Sequence, residues 1–181
     1  MLTRAATEPG AGSAAPAADL ATLFPDAGRV LEALARAPRR TVATAESCTG
    51  GLCAAALTAV PGSSRVMLGG IVAYSDAVKV DLLGVSPQLL RAEGAVSEAV
   101  ALAMADGVRT RLGAALGVGI TGVAGPGASE RKPAGLIYLG VVDGRTSRVV
   151  RLADDGGRHG NRVAAVRAAL RLLLEAAGVE Q

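Results

Sequence analysis

Aromatic side chains are nearly missing from this chain of 181 residues, which has two Tyr, one Phe and no Trp. Half of the residues are nonetheless hydrophobic, so the core has to be built from Ala, Val and Leu, a composition that favours helices packed closely on a sheet. The scarcity also removes the platforms on which bases stack. The formal charge is +3, but no run of basic residues tracks a phosphate backbone, and nucleic acid is not an expected partner. Long apolar runs are missing too: Gly, Ser or a charge interrupts each one well short of the ~18 residues of a membrane span. The opening MLTRAATEPGAGSAAPAADLATLF has one early Arg and no continuous apolar stretch of signal-peptide length, so the expectation is a cytoplasmic protein with no membrane partner.

Cysteine and histidine are equally scarce. Cys48 and Cys53 lie in one apolar segment, with no second Cys pair or His cluster to complete a zinc site, and read as small structural residues. The single histidine, His159, sits far along the chain among glycines, and no G-x-S-x-G elbow accompanies it, which disfavours a Ser-His mechanism. Lysine is the third rarity. Of 19 basic residues only Lys79 and Lys132 are Lys, in a chain that otherwise uses Arg.

The length suits one domain. Residues 1–18, rich in Ala, Gly, Pro and Ser, read as a flexible tail, leaving 19–181 for the domain. Helical segments are predicted around Pro25, ending near Pro38. A buried strand follows at TVATAE, then a helix with Leu52, Ala55, Ala56 and Ala59 on one stripe, stopped by Pro61-Gly62. GGIVAYS (69–75) predicts a second strand, Ala77 to Leu83 a short helix, and Ser97 the cap of a helix bearing Val100, Met104, Val108 and Leu112. LGVGITG (116–122) is a third strand, opening into the glycine-rich loop VAGPGASERKPAG. GLIYLGVVDG and TSRVVRLA form a hairpin at Asp143-Gly144, and a last helix carries Val163, Val166, Leu170, Leu173 and Leu174. Strands alternating with helices, plus one hairpin, predict an α/β sandwich with a mixed sheet.

Chemistry concentrates at strand ends. In AESCTGGL, Ser47 stands between a strand and a helix rich in small residues, where glycines let backbone N–H groups approach a ligand and the helix N-terminus favours an oxyanion. A plain helix cap has the same signature. Lys79 is a candidate base for Ser47, because a desolvated lysine gives up a proton and an arginine does not; a solvated surface lysine is the alternative. Tyr74, five residues earlier, supplies a phenol near the same edge. Thr121 and Gly122 end the third strand with a hydroxyl and a backbone donor. Arg162, in GRHGNR at the start of the last helix, suits either a phosphate or a surface salt bridge.

Taken together, AESCTGGL, the VPGSS turn, GGIVAYSDAVK with LLGV, GAVSEAVALAMADG, ITGVAGPG, KPAG before a strand, and G-N-R-x-x-x-V-R run in order over residues 41–167. This set resembles the CinA C-terminal-domain family, whose stand-alone members include nicotinamide-nucleotide amidases. The resemblance implies a three-layer α/β/α sandwich with a mixed, mainly parallel sheet. It implies hydrolysis of the carboxamide of nicotinamide mononucleotide to nicotinate mononucleotide and ammonia, a pyridine-nucleotide salvage step, with no cofactor or metal and with a homo-oligomer. It places the nucleophile on Ser47 and its partners on Tyr74 and Lys79. Substrate contacts fall on Glu46, Thr49, Gly50, Gly51, Thr121, Gly122 and, at the phosphate end, Arg162. Glu46 suits either substrate contact or backbone anchoring. The chain departs from the family pattern at Asp76, commonly Asn, at Arg158, usually aromatic, and in a glycine loop shorter in glycine. Some members carry a large N-terminal domain, and the 40 residues before the first motif are too few for one, so the expectation is the amidase unit alone. A non-catalytic module binding a nucleotide or a protein through the same cleft is the alternative function.

Overall fold

The computed structural model of the chain describes residues 19–36, 38–129 and 132–179; the tail expected at 1–18 lies outside the described residues. Five strands, β1 (Val42–Glu46), β2 (Met67–Val72), β3 (Leu116–Gly122), β4 (Ile137–Val142) and β5 (Ser147–Leu152), form one sheet in the order β2-β1-β3-β4-β5. β1 pairs in parallel with β2 and β3, while β3 with β4 and β4 with β5 pair antiparallel. Four of the five strands therefore run the same way, and β4 alone runs against them.

The helices are α1 (Leu20–Leu23), α2 (Asp26–Ala35), α3 (Leu52–Thr58), α4 (Asp76–Leu83), α5 (Pro87–Glu93), α6 (Glu98–Leu112) and α7 (Gly157–Ala176). They divide into two layers because side chains alternate across a strand. Val42 of β1 and Leu116, Val118 and Ile120 of β3 pack with residues of α2, α3 and α7, whereas Ala43 and Ala45 pack with Val100, Met104 and Val108 of α6. On the α6 side β3 presents Gly117 and Gly119, where a Cβ would collide with the carbonyls of Ala105 and Ala101. The helix thus lies directly on the strand backbone, which is how a core without large rings closes. The architecture is the three-layer α/β/α sandwich, with its mixed, mainly parallel sheet.

Three details differ from the sequence reading. β2 begins at Met67 and ends at Val72, so Tyr74 and Ser75 stand beyond the strand; the Ser75 hydroxyl instead accepts from the Val78 N–H at 3.3 Å and caps α4. α5 was not anticipated, although Ser86 caps it and Pro87 opens it. The segment around His159, read as a glycine loop, is already the first turn of α7. Arg162 consequently lies in the second turn, five residues past the helix start.

Candidate active site

The carboxyl ends of β1 and β3 open toward the loops that follow them, as ligand sites in α/β sheets do. β1 ends in Glu46, which is 1% exposed and points its carboxylate into the start of α3. One oxygen accepts from the Gly51 N–H at 3.1 Å and the Cys53 N–H at 3.0 Å; the other accepts from the Ala54 N–H at 2.8 Å and the Thr44 hydroxyl at 3.3 Å. The first orphan donors of α3 are therefore satisfied by an acid from the preceding strand, favourably placed against the helix dipole. Of its two expected roles, Glu46 fulfils backbone anchoring.

That arrangement relieves Ser47 of capping. Its N–H donates to the Ile120 carbonyl at 2.9 Å and its carbonyl accepts from Gly50, while its hydroxyl takes no partner among the described residues. Gly50 and Gly51 turn the chain with φ of 60° and 91°, values a side chain rarely adopts. From the other side, Arg162 donates to the Thr49 carbonyl through Nη2 at 2.7 Å and Nε at 3.2 Å. Thr49 is fully buried, and its hydroxyl is a buried polar atom without a partner among the described residues.

The opposite wall comes from the end of β2 and from α4. Lys79 is 1% exposed, and its Nζ donates to the Tyr74 carbonyl at 3.3 Å and to Asp76 Oδ1 at 3.4 Å. Two of three ammonium donor positions are thereby used. Glu46 is not a partner of this lysine; the carboxylate beside it belongs to Asp76, whose side chain is 61% exposed. Tyr74 is itself 64% exposed, and its hydroxyl accepts from Arg158 Nη2 at 3.4 Å.

Ser47, Tyr74, Lys79, Thr121 and Gly122 line one cleft of about 320 Å³, together with Cys48, Arg158 and the glycine loop through Ser129. Thr121 reaches it with its hydroxyl already donating to the Ala95 carbonyl at 2.7 Å. Glu46, Thr49, Gly50, Gly51 and Arg162, expected as substrate contacts, are not among the residues lining this cleft; Glu46 and Arg162 instead bond the turn that follows Ser47. Arg158 and Cys48 are lining residues that sequence reasoning did not select. Burial pushes the Cys48 thiol up to about 11, against smaller lowering influences from backbone N–H groups and Arg162, so it is a poor nucleophile beside Ser47. Burial, with the negative charge of Glu46, also raises the Cys53 thiol well above its ordinary value. A second pocket of about 740 Å³ shares Asp76, Ala95, Val96 and Ser129 with the cleft and carries Arg91 and Lys132. Among the described residues, no three His, Cys, Asp or Glu side chains gather as a metal site, and no helix is long and apolar enough to cross a membrane.

Comparison with known proteins adds a family. Residues 26–177 match the model of the CinA C-terminal domain. The chain is 50% identical over 148 residues to a CinA-like protein of Thermosynechococcus vestitus, covering 80% of this chain and 36% of that protein. It is 51% identical over 134 residues to a CinA-like protein of Synechocystis sp., covering 72% and 32% respectively. The chain thus spans about a third of the length of these curated relatives. Among solved structures, the competence/damage inducible protein CihA of Agrobacterium tumefaciens superposes with a TM-score of 0.79 at 40% identity, covering 91% of this chain and 98% of that one. A CinA superfamily protein of Escherichia coli gives 0.81 at 33% identity, covering 89% and 94%.

Proposed function

The chain belongs to the CinA C-terminal domain family, and from that premise together with the cleft we propose that it is an amidohydrolase acting on the carboxamide of nicotinamide mononucleotide. One observation carries the reading: the Ser47 hydroxyl is uncommitted among the described residues, because Glu46 performs the capping that would otherwise occupy it, and it shares a cleft with a buried lysine. A serine whose only duty was to start a helix would be bonded to that helix.

In the proposed reaction, Lys79 takes the Ser47 proton as Oγ attacks the carboxamide carbon. Backbone N–H groups of the turn directly after Ser47, ahead of those that Glu46 holds, stabilise the oxyanion. The proton passes to the departing nitrogen, with the Tyr74 hydroxyl as relay, and ammonia leaves an acyl-enzyme. Water, deprotonated by the same lysine, then adds to the acyl carbon and releases nicotinate mononucleotide and the serine hydroxyl. The ribose phosphate extends from the cleft into the adjoining pocket, where Arg91 and Lys132 offer positive charge. In a cell this is a pyridine-nucleotide salvage reaction, carried out in the cytoplasm by a homo-oligomer.

Purified protein incubated with nicotinamide mononucleotide should release ammonia and nicotinate mononucleotide in equal amounts. Binding of the mononucleotide without ammonia release would make the chain a binding module and overturn the amidase.

A further inference from the structure

Arg158 sits in the first turn of α7, 84 positions after Tyr74, and joins two walls of the cleft. Its Nη1 donates to the Gly125 carbonyl at 2.8 Å, in the loop after β3, and its Nη2 to the Tyr74 hydroxyl at 3.4 Å, beyond the end of β2. No carboxylate among the described residues forms an ion pair with this guanidinium. The nearby Asp155 instead accepts from the Gly157 N–H and the Asn161 amide. A planar fork with donors on separate nitrogens suits two acceptors that belong to different elements, which a single ammonium serves poorly. Tyr74 needs such a brace: the residue is 64% exposed, and the contact with Arg158 is its hydroxyl's hydrogen bond among the described residues.

We infer that Arg158 is a positioning residue that holds the Tyr74 phenol across the mouth of the cleft and ties it to the glycine loop. The bridge keeps the exposed ring in one rotamer and so sets the hydroxyl where a proton relay uses it. Its kinetic consequence rests on the amidase reading. The bridge itself is measurable without turnover.

The chain has no Trp and two Tyr, so in a Tyr138→Phe background all tyrosine emission comes from Tyr74. Time-resolved anisotropy of that emission should show a ring tumbling with the protein, and Arg158→Ala should add a fast local component while the melting midpoint holds. With nicotinamide mononucleotide, Arg158→Ala should lower kcat by about tenfold, the scale of one lost hydrogen bond, with KM within about twofold. Arg158→Lys should restore part of the rate, and in a Tyr74→Phe background Arg158→Ala should cost nothing further. Anisotropy unchanged by Arg158→Ala would overturn the bridge. A raised KM at constant kcat, or losses that add in the double variant, would show that the guanidinium acts on substrate and not through Tyr74. If the parent protein shows no turnover, the amidase reading fails and the anisotropy still decides the bridge.

Discussion

The turn that carries Ser47 and the wall that carries Tyr74 and Lys79 face the same cleft but are held by different means. Behind Ser47, a buried carboxylate takes three backbone N–H groups of the α3 start, and a guanidinium takes the Thr49 carbonyl twice. Across the cleft, the buried Lys79 Nζ is bonded, among the described residues, to the Tyr74 carbonyl and to a largely exposed Asp76, and the Tyr74 hydroxyl meets Arg158 in one long hydrogen bond. The proposed nucleophile is thus built on a fixed platform and its proposed proton-handling partners on an adjustable one. Substitutions behind Ser47 should therefore register in stability, and substitutions on the facing wall mainly in rate.

The sharpest break in this comparison is Glu46→Ala. It strands three backbone donors at once, at ~1–3 kcal/mol for each unsatisfied group, so a loss of at least about 3 kcal/mol is expected. Thermal denaturation should show a midpoint lowered by roughly 6–12 °C for a domain of this size. By contrast Tyr74→Phe should leave the midpoint within the ~0.5 kcal/mol typical of surface changes. Equal losses at the two positions would erase the distinction.

Arg162→Ala comes next. Loss of two charge-assisted bonds to the Thr49 carbonyl should cost about 1.5–3 kcal/mol and lower kcat by loosening the turn. Because the guanidinium is committed to the turn, the preference for mononucleotide over riboside should persist in steady-state kinetics with both substrates. Its disappearance would return the phosphate to Arg162 and move it from the platform to the substrate.

On the adjustable wall, Asp76→Asn keeps an acceptor near Lys79 and removes the carboxylate's negative charge. The expected result is a kcat raised by about two- to fivefold at neutral pH with stability unchanged, a modest effect because the Asp76 side chain is largely exposed and its charge is screened by solvent. A fall in kcat would show that the carboxylate orients the lysine and does not oppose it.

The smallest effect lies outside both regions and serves as their control. Asp143, at the β4–β5 turn, accepts from the N–H groups of Thr146 and Arg145, which lower its carboxyl from 3.8 to about 2. A folded-state pKa below the unfolded value contributes stability above about pH 3.8, lost as pH falls toward 2. Melting curves of Asp143→Ala should accordingly differ slightly from those of the parent at pH 5 and converge near pH 2, with turnover unaffected throughout. A gap that persists at pH 2 would assign the contribution to the hairpin's packing.

Local patterns made most of the fold legible. Ser97 announced α6 and Asp143-Gly144 marked the hairpin through bonds among near neighbours, and the apolar run LGVGITG carried all of β3. Ser86 and Pro87 mark α5 just as plainly, although its apolar stripe is short. The start of α7 was hidden by Gly156, Gly157 and Gly160, which read as loop. There Asn161 holds the entry by accepting from the Gly156 N–H and donating to the Ala124 carbonyl, a partner 37 positions away. At the site, residue types suggested Ser47, Tyr74 and Lys79, and the structure gathers them in one cleft. The division between lining and support was not legible, because it depends on contacts such as Arg162 with Thr49, 113 positions apart, and Arg158 with Tyr74. No local pattern encodes those distances.

Ser47 as nucleophile is the centre of the proposed reaction, and turnover of nicotinamide mononucleotide by Ser47→Ala is the measurement that tests it. The substitution removes one oxygen that holds no structural bond among the described residues, so the variant should melt with the parent and bind the mononucleotide comparably, while ammonia release falls by about three orders of magnitude or more, as for other lost covalent nucleophiles. Activity within about tenfold of the parent, less than ~1.4 kcal/mol of barrier, would contradict it.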